Sequence, residues 1–273
     1  MKQLLYSLGP LAPFLVVGCT TSGGTGTLTA TWSLQNVDRS PAACMSGYET
    51  MLVSAAAWDK NLEVPDPGGI PFIGMFDCAA GMGTLELPLD GTRDTTEIFG
   101  KYDIRWDETD AGGGTAVATD MQSKLGRSTT VDLGGGARST AVTMYQDGGW
   151  GWFEWSLYGM NAQTYLDSCA GAGVDKVEIT LTEMTTMAVT HLSFPCSTSD
   201  DTAAGATGIP VNDLYALGAG IAPVEAGFYT YVATAYAGTT VVGTTDGDHT
   251  TGIEALNKIS FDPNIVEITL TTR

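Results

Sequence analysis

Histidine and basic residues are scarce in this chain. Its 273 residues include two histidines, His191 and His249, and 12 Lys and Arg against 31 Asp and Glu, a formal charge of −19. Neither histidine has a second His or a Cys at zinc-ligand spacing, so no zinc centre is expected. Gly-x-Ser-x-Gly elbows, His-Glu-x-x-His helices and Walker loops are missing as well. Gly81-Met82-Gly83 has no strand-to-helix context and reads as a turn. With so many acids a carboxylate pair somewhere is inevitable, so pairing by itself signals no glycosidase chemistry. A body this acidic excludes binding of nucleic acid or anionic lipid through charge. Long helical periods are lacking too, and so is any apolar run able to span a bilayer. The longest, Leu4 to Val17, falls short of the ~20 residues a spanning helix needs and is broken by Gly9-Pro10 and Pro13. These absences point to a non-enzyme with no cofactor.

What the chain does have begins with its leader. Lys2, an apolar run, then a small residue before a cysteine form the pattern of a secretory leader. Val16-Val17-Gly18-Cys19 resembles the lipobox of bacterial lipoproteins. That resemblance implies removal of residues 1–18, acylation of Cys19, and a Thr/Ser/Gly tether over 19–27. Acyl chains on Cys19 contribute about 0.8 kcal/mol per buried CH₂, enough for a lasting membrane anchor. By the sorting rules of such proteins, Thr20 after the cysteine implies the outer membrane. Loss of the leader removes one Lys and no acid, taking the formal charge from −19 to −20.

An odd count of five cysteines is resolved if Cys19 is acylated. Cys44, Cys78, Cys169 and Cys196 remain, and an exported protein is expected to oxidise them. Four cysteines allow three pairings, and an internal repeat selects one. The first copy runs through Trp32-Ser33-Leu34, Cys44, an alternating strand, Phe76-Asp77-Cys78, Gly100-Lys101-Tyr102 and Val131-Asp132-Leu133. The second runs through Trp155-Ser156-Leu157, Cys169, a strand, Phe194-Pro195-Cys196, Gly227-Phe228-Tyr229 and Val266-Glu267-Ile268. This order pairs Cys44 with Cys78 and Cys169 with Cys196, one bridge within each copy.

Strands are legible from their two-residue period. Tyr102, Ile104 and Trp106 alternate with charged neighbours; Val177, Ile179 and Leu181 alternate with Lys176, Glu178 and Thr180, and Met51, Val53 and Ala55 are their counterparts. Gly/Pro/Asp turns separate the strands. The fold expected is all-β: two tandem antiparallel β-sandwich domains, each with one internal disulfide. Their spans are 28–136 and 150–273, with 137–149 as a linker or the last strand of the first. Short helical turns are expected near Ala42 to Ser46, Tyr165 to Ala170 and Val211 to Leu217. The Gly-x-Tyr that opens an alternating strand resembles the prealbumin-like sandwiches of carboxypeptidase regulatory and collagen-adhesin B-type repeats, and immunoglobulin-like sandwiches nearly as well.

Two groups of residues qualify as sites. Trp150, Trp152 and Tyr158 fall on the face of their strand opposite Phe153, Trp155 and Leu157. They either stack on a ligand such as a sugar ring or pack between the two domains. Acidic turns, Asp246 and Asp248 above all, are weak calcium candidates; none matches an EF-hand loop. The function expected is an outer-membrane, lipid-anchored envelope protein with a binding, structural or assembly role, on the periplasmic or the cell-surface face. The alternatives are a glycan-binding protein using the boundary aromatics and an accessory subunit of a secretion or assembly machine. A protein or glycan is the partner expected in each case.

Overall fold

A computed structural model describes residues 24–59, 69–89, 97–124, 129–134, 136–197, 199–201, 206–207, 215–247, 249–259 and 264–271. The expected leader over residues 1–18, Cys19 and Asp248 lie outside the described residues, as does most of Val211 to Leu217. Among the described residues no helix is long and apolar enough to cross a membrane.

The chain is nearly all strand. The first module comprises β1 (Thr25–Gln35), β2 (Thr50–Asp59), β3 (Phe72–Asp77), β4 (Met82–Pro88), β5 (Glu97–Thr109), β6 (Ala116–Thr119), β7 (Thr130–Asp132) and β8 (Arg138–Tyr145). In the second, β9 (Gly148–Gly159) and β10 (Thr164–Tyr165) precede β11 (Lys176–Glu183), β12 (Val189–Pro195), β13 (Ser199–Asp201) and β14 (Ala206–Thr207). It continues through β15 (Gly218–Glu225), β16 (Gly227–Ala237), β17 (Thr240–Thr244), β18 (His249–Ile253) and β19 (Asn264–Leu270). Among the described residues helix is confined to short turns: Cys78–Ala80, α1 (Met121–Lys124) and α2 (Cys169–Ala172). The segment Ala42 to Ser46 is not helical. There the disulfide and a hydrogen bond from Ala42 N–H to Leu34 hold irregular backbone.

Both modules have one strand plan. In the first, β1 pairs with β4 and β8, while β2 pairs with β3 and β5, and β5 with β6 and β7. In the second, β9 pairs with β15 and β19, β11 with β12 and β16, and β16 with β17 and β18. Hairpin-joined neighbours are antiparallel, as expected, but the opening and closing strands run parallel in both modules. A whole module intervenes between those two strands, so no tight turn constrains their direction. Their register also revises one landmark. Trp32 faces Val142 where Trp155 faces Val266, so Val142-Thr143-Met144, and not Val131-Asp132-Leu133, is the counterpart of Val266-Glu267-Ile268.

Alternation builds each core. Leu28, Ala30 and Trp32 of β1, Met51, Val53 and Ala55 of β2, and Tyr102, Ile104 and Trp106 of β5 fill the first. Phe153, Trp155 and Leu157, Val177, Ile179 and Leu181, and Val266, Ile268 and Leu270 fill the second. The bridges Cys44–Cys78 and Cys169–Cys196 tie the segments that precede β2 and β11 to the ends of β3 and β12. Over each bridge lies a tryptophan. Its indole N–H donates to the carbonyl of the later cysteine, and its ring lies 6.0 Å from Phe76 in one module and 5.8 Å from Phe194 in the other.

Candidate functional site

Only Gln146 and Asp147 connect β8 to β9, and both are held. Gln146 N–H donates to Gln35, and its side-chain amide donates to Glu108 Oε2 at 2.7 Å. The other oxygen of that fully buried carboxylate accepts from Met45 N–H. Asp147 accepts from Val37 N–H through its side chain and from Ala226 N–H through its carbonyl. The strand that follows starts with Gly148 and Gly149 because nothing larger fits. A Cβ on Gly149 would lie 2.3 Å from the carbonyl oxygens of both Glu254 and Lys258, and one on Gly148 would lie 2.3 Å from Val224 O.

Trp150 and Trp152 stand on the outer face of β9, as the alternation requires, yet they are 2% and 8% exposed. They pack with Met121 and Tyr145 of the first module and with Ala219 and Ile221 of the second, flanked by Val37 and Ile259. Of the two arrangements open to this pair, a stacking platform or packing between the domains, the burial of both rings matches the second. Tyr158 lies elsewhere. It is half-buried and meets Tyr165 edge-on at 5.5 Å; Tyr165 in turn stacks on Tyr215 at 4.5 Å and donates its hydroxyl to Glu267.

At the centre of the joint is Asn257, fully buried, on the loop between β18 and β19. Leu256 and Asn257 have φ of 63° and 56°, and this left-handed pair turns the loop into the first module. Leu256 then packs against the first core. Asn257 Nδ2 donates to Thr119 O at 2.8 Å, while its Oδ1 accepts from Tyr145 N–H at 3.1 Å and from the Trp150 indole at 2.8 Å. The register explains this placement. In the second module β17 and β19 close the sandwich by pairing Thr244 with Thr269. Thr119 and Tyr145 are the counterparts of those two residues, but β6 and β8 do not pair. A side-chain amide from the second module supplies the donor and acceptor that a strand pair would have exchanged. Sequence reasoning missed this residue, since a single Asn in a polar loop carries no pattern.

Beside the joint is a group of carboxylates. Asp107 pairs with Arg105 at 2.8 Å and accepts from Thr119 Oγ1. Asp120 accepts from Trp106 N–H and from both the backbone N–H and hydroxyl of Ser123, capping α1. Burial pushes Asp120 above its ordinary range. Burial, with repulsion from Asp120 in support, pushes Asp103 up to about 6 against the opposing bond from Thr129 N–H. Glu108 and Asp107, members of an acidic cluster that could have offered calcium ligands, are thus engaged with protein partners. Asp246 is exposed, and among the described residues no group of three or more His, Cys, Asp and Glu is placed to hold a metal ion. His191 is exposed on β12, with Nδ1 3.4 Å from Glu178 and 3.2 Å from Thr180 Oγ1.

At the opposite end of the first module a polar cleft of about 660 Å³ opens between β7 and β8. Thr130, Asp132, Arg138, Ser139 and Thr140 line it, with Val131 and Gly134.

No protein-family model matches this chain, and no curated protein matches it. Among solved structures it is similar to a leucine-rich repeat protein from Bacteroides thetaiotaomicron, at 14% identity and a TM-score of 0.35, covering 90% of this chain and 26% of that one. It is also similar to a candidate adhesin from Bacteroides ovatus, at 11% identity and a TM-score of 0.25, covering 91% and 89%. A candidate polysaccharide-binding protein from Bacteroides thetaiotaomicron is similar at 12% identity and a TM-score of 0.25, covering 80% and 78%. The chain spans about a quarter to a third of the length of the first three structures it matches.

Proposed function

We propose that this chain is a non-enzymatic lipoprotein of the bacterial outer membrane, anchored through Cys19, in which two disulfide-closed modules form one stiff unit. The first module acts as the base and the second carries the surface that meets a protein or glycan of the envelope. The observation that carries this reading is the joint. A flexible tandem would be joined by an exposed, polar linker with few contacts across it. Here two residues connect the strands, Asn257 bonds across to Thr119 and Tyr145, and Trp150 and Trp152 are buried. Such a joint fixes the angle between modules, which suits display at a set distance from a membrane.

The test has two arms. Cys19→Ala should release the protein from the membrane fraction, and intact mass of the native chain should show acyl chains on Cys19 with four cysteines as two bridges. Small-angle scattering of the released chain should fit a single rigid shape. A bare Cys19 in the native protein, or scattering that demands a broad range of inter-module angles, would overturn the proposal.

A saccharide-binding reading moves from the tryptophans to the tyrosines. Tyr215 is 52% exposed and stacks on Tyr165, beside the Glu267 carboxylate. An aromatic face next to a carboxylate suits the C–H face and hydroxyls of a sugar ring. Binding on a glycan array that is lost in Tyr215→Ala supports this reading; binding that is unchanged in that variant removes it.

A further inference from the structure

We propose that the cleft between β7 and β8 binds the zwitterionic phosphate–ammonium headgroup of a membrane lipid, seating the first module directly on the bilayer. This inference rests on the lipid-anchor reading above and adds a specific second contact. Three observations converge on it.

The first is position. β1 and β8 run parallel with Leu28 opposite Arg138, so their N-terminal ends lie side by side. A Cβ on Gly26 would lie 3.3 Å from Gly136 O, which puts the tether's entry next to the turn that rims the cleft. The second is reach. Cys19 precedes Gly24 by five residues, and five residues span at most about 18 Å when fully extended. An acylated Cys19 therefore holds this end of the module within that distance of the headgroups.

The third is chemistry. The cleft offers one cation, the Arg138 guanidinium, one anion, the Asp132 carboxylate, and the hydroxyls of Thr130, Ser139 and Thr140. Asp132 also accepts from Gly134 N–H, and Arg138 donates to Ala137 O; both side chains are exposed. A guanidinium suits phosphate oxygens, and a carboxylate suits an ammonium with N–H groups to donate. A headgroup bearing both charges matches the pair, whereas a purely anionic surface would be repelled by a body of formal charge −19. A single hydrophobic anchor is strengthened by any second membrane contact, because the two act at high effective concentration.

The test uses the full-length Cys19→Ala chain, followed by amide NMR during titration with phosphoethanolamine, phosphocholine and inorganic phosphate. Saturable shifts confined to Thr130–Asp132 and Arg138–Thr140 are expected with phosphoethanolamine. Phosphocholine, whose ammonium carries no N–H to donate, and inorganic phosphate, which has no ammonium, should each bind more weakly, by up to about five-fold, the upper end of what one exposed polar or charge contact carries. Arg138→Gln and Asp132→Asn should each weaken phosphoethanolamine by a similar factor with an unchanged melting temperature. Absence of shifts, equal response to all three compounds, or shifts produced only by an envelope oligosaccharide would overturn the inference. Intact mass of the wild-type chain separates the two readings. An acylated Cys19 with no headgroup response removes the cleft site alone, and a bare Cys19 with a specific response removes the anchor alone.

Discussion

Trp32 and Trp155 are structural counterparts: each donates its indole N–H to the carbonyl of its module's later cysteine, at 2.7 Å to Cys78 and 2.9 Å to Cys196. Leaving such a buried carbonyl unpaired costs about 1–3 kcal/mol, and the smaller ring of phenylalanine removes packing as well. Trp155→Phe is therefore expected to lower stability by at least that amount in a denaturant titration, with both disulfides retained on intact mass.

The glycine opposite each of these strands makes a second, sharper test. Gly83 faces Ala30 and Gly220 faces Phe153, and a Cβ on either would lie 2.4 Å from the ring of Phe76 or Phe194. Those rings are the ones packed against the two tryptophans, tilted in the first module and stacked in the second, so they cannot move without disturbing them. Overpacking of this kind costs about 1–3 kcal/mol or more. Gly220→Ala should lower the thermal midpoint, and the companion change Phe194→Leu should restore part of the loss by making room.

Asn257 couples the modules. Asn257→Ala leaves Thr119 O, Tyr145 N–H and the Trp150 indole without the bonds they now make to it. At about 1 kcal/mol or more for each buried group, roughly 3 kcal/mol is lost, all of it at the joint. Calorimetry should then resolve two unfolding transitions, where a single one is expected of the native chain. Asn257→Asp keeps the acceptor but removes the donor to Thr119 and buries a charge, so at neutral pH it should cost at least as much as Asn257→Ala.

Much of this fold was legible from period and order. Trp32, Cys44, Phe76 and Tyr102 recur as Trp155, Cys169, Phe194 and Tyr229, because each holds a fixed place in the same strand plan. Tyr102 and Tyr229 even share a bond, each hydroxyl donating to the carbonyl that ends the preceding strand, Pro88 and Glu225. The closing strand of the first module was misplaced because Val131-Asp132-Leu133 alternates as well as Val142-Thr143-Met144 does, and period alone does not say which strand meets β1. The joint was less visible still. Trp150 and Trp152 were placed on the correct face, but whether that face meets solvent or another module depends on a loop more than a hundred residues downstream. Asn257 acts through a left-handed backbone and three bonds to distant residues, none of which leaves a local pattern. The polar cleft joins exposed residues of two short strands, whose hydroxyls and charges look like any solvated surface.

Stability should depend on pH in a direction set by Asp103 and Asp120. Both carboxyls are raised above their ordinary range, Asp103 to about 6, with burial as the main cause. A raised carboxyl binds its proton more tightly in the folded state than in the unfolded one. Stability therefore rises as pH falls from neutral through about 6 toward the ordinary Asp value near 4. Asp103→Asn mimics the protonated form and still accepts from Thr129 N–H. It should raise the melting temperature at pH 7, leave it little changed near pH 4, and flatten the profile between them. An unaltered slope in Asp103→Asn would place the pH dependence on other groups.

The two disulfides differ in their access to reductant. Cys169, Cys196 and Cys78 are almost fully buried, whereas Cys44 is half-buried on the irregular loop between β1 and β2. Thiol exchange needs in-line approach to a sulfur, so under native conditions a small thiol should open Cys44–Cys78 first. Loss of that bridge frees the loop whose next residue, Met45, donates to the buried carboxylate of Glu108, and Glu108 in turn holds Gln146 at the joint. Reduction should therefore cost more than the roughly 3.5–4 kcal/mol that chain entropy assigns to a loop of this length, because it also loosens the seam. Timed alkylation with mass analysis should label Cys44 and Cys78 before Cys169 and Cys196. Hydrogen exchange should then quicken at Gln146 and Asn257 in the singly reduced protein. Equal labelling rates for the two pairs would show that native-state access does not govern their reduction, and unchanged exchange at Gln146 would uncouple the first bridge from the joint.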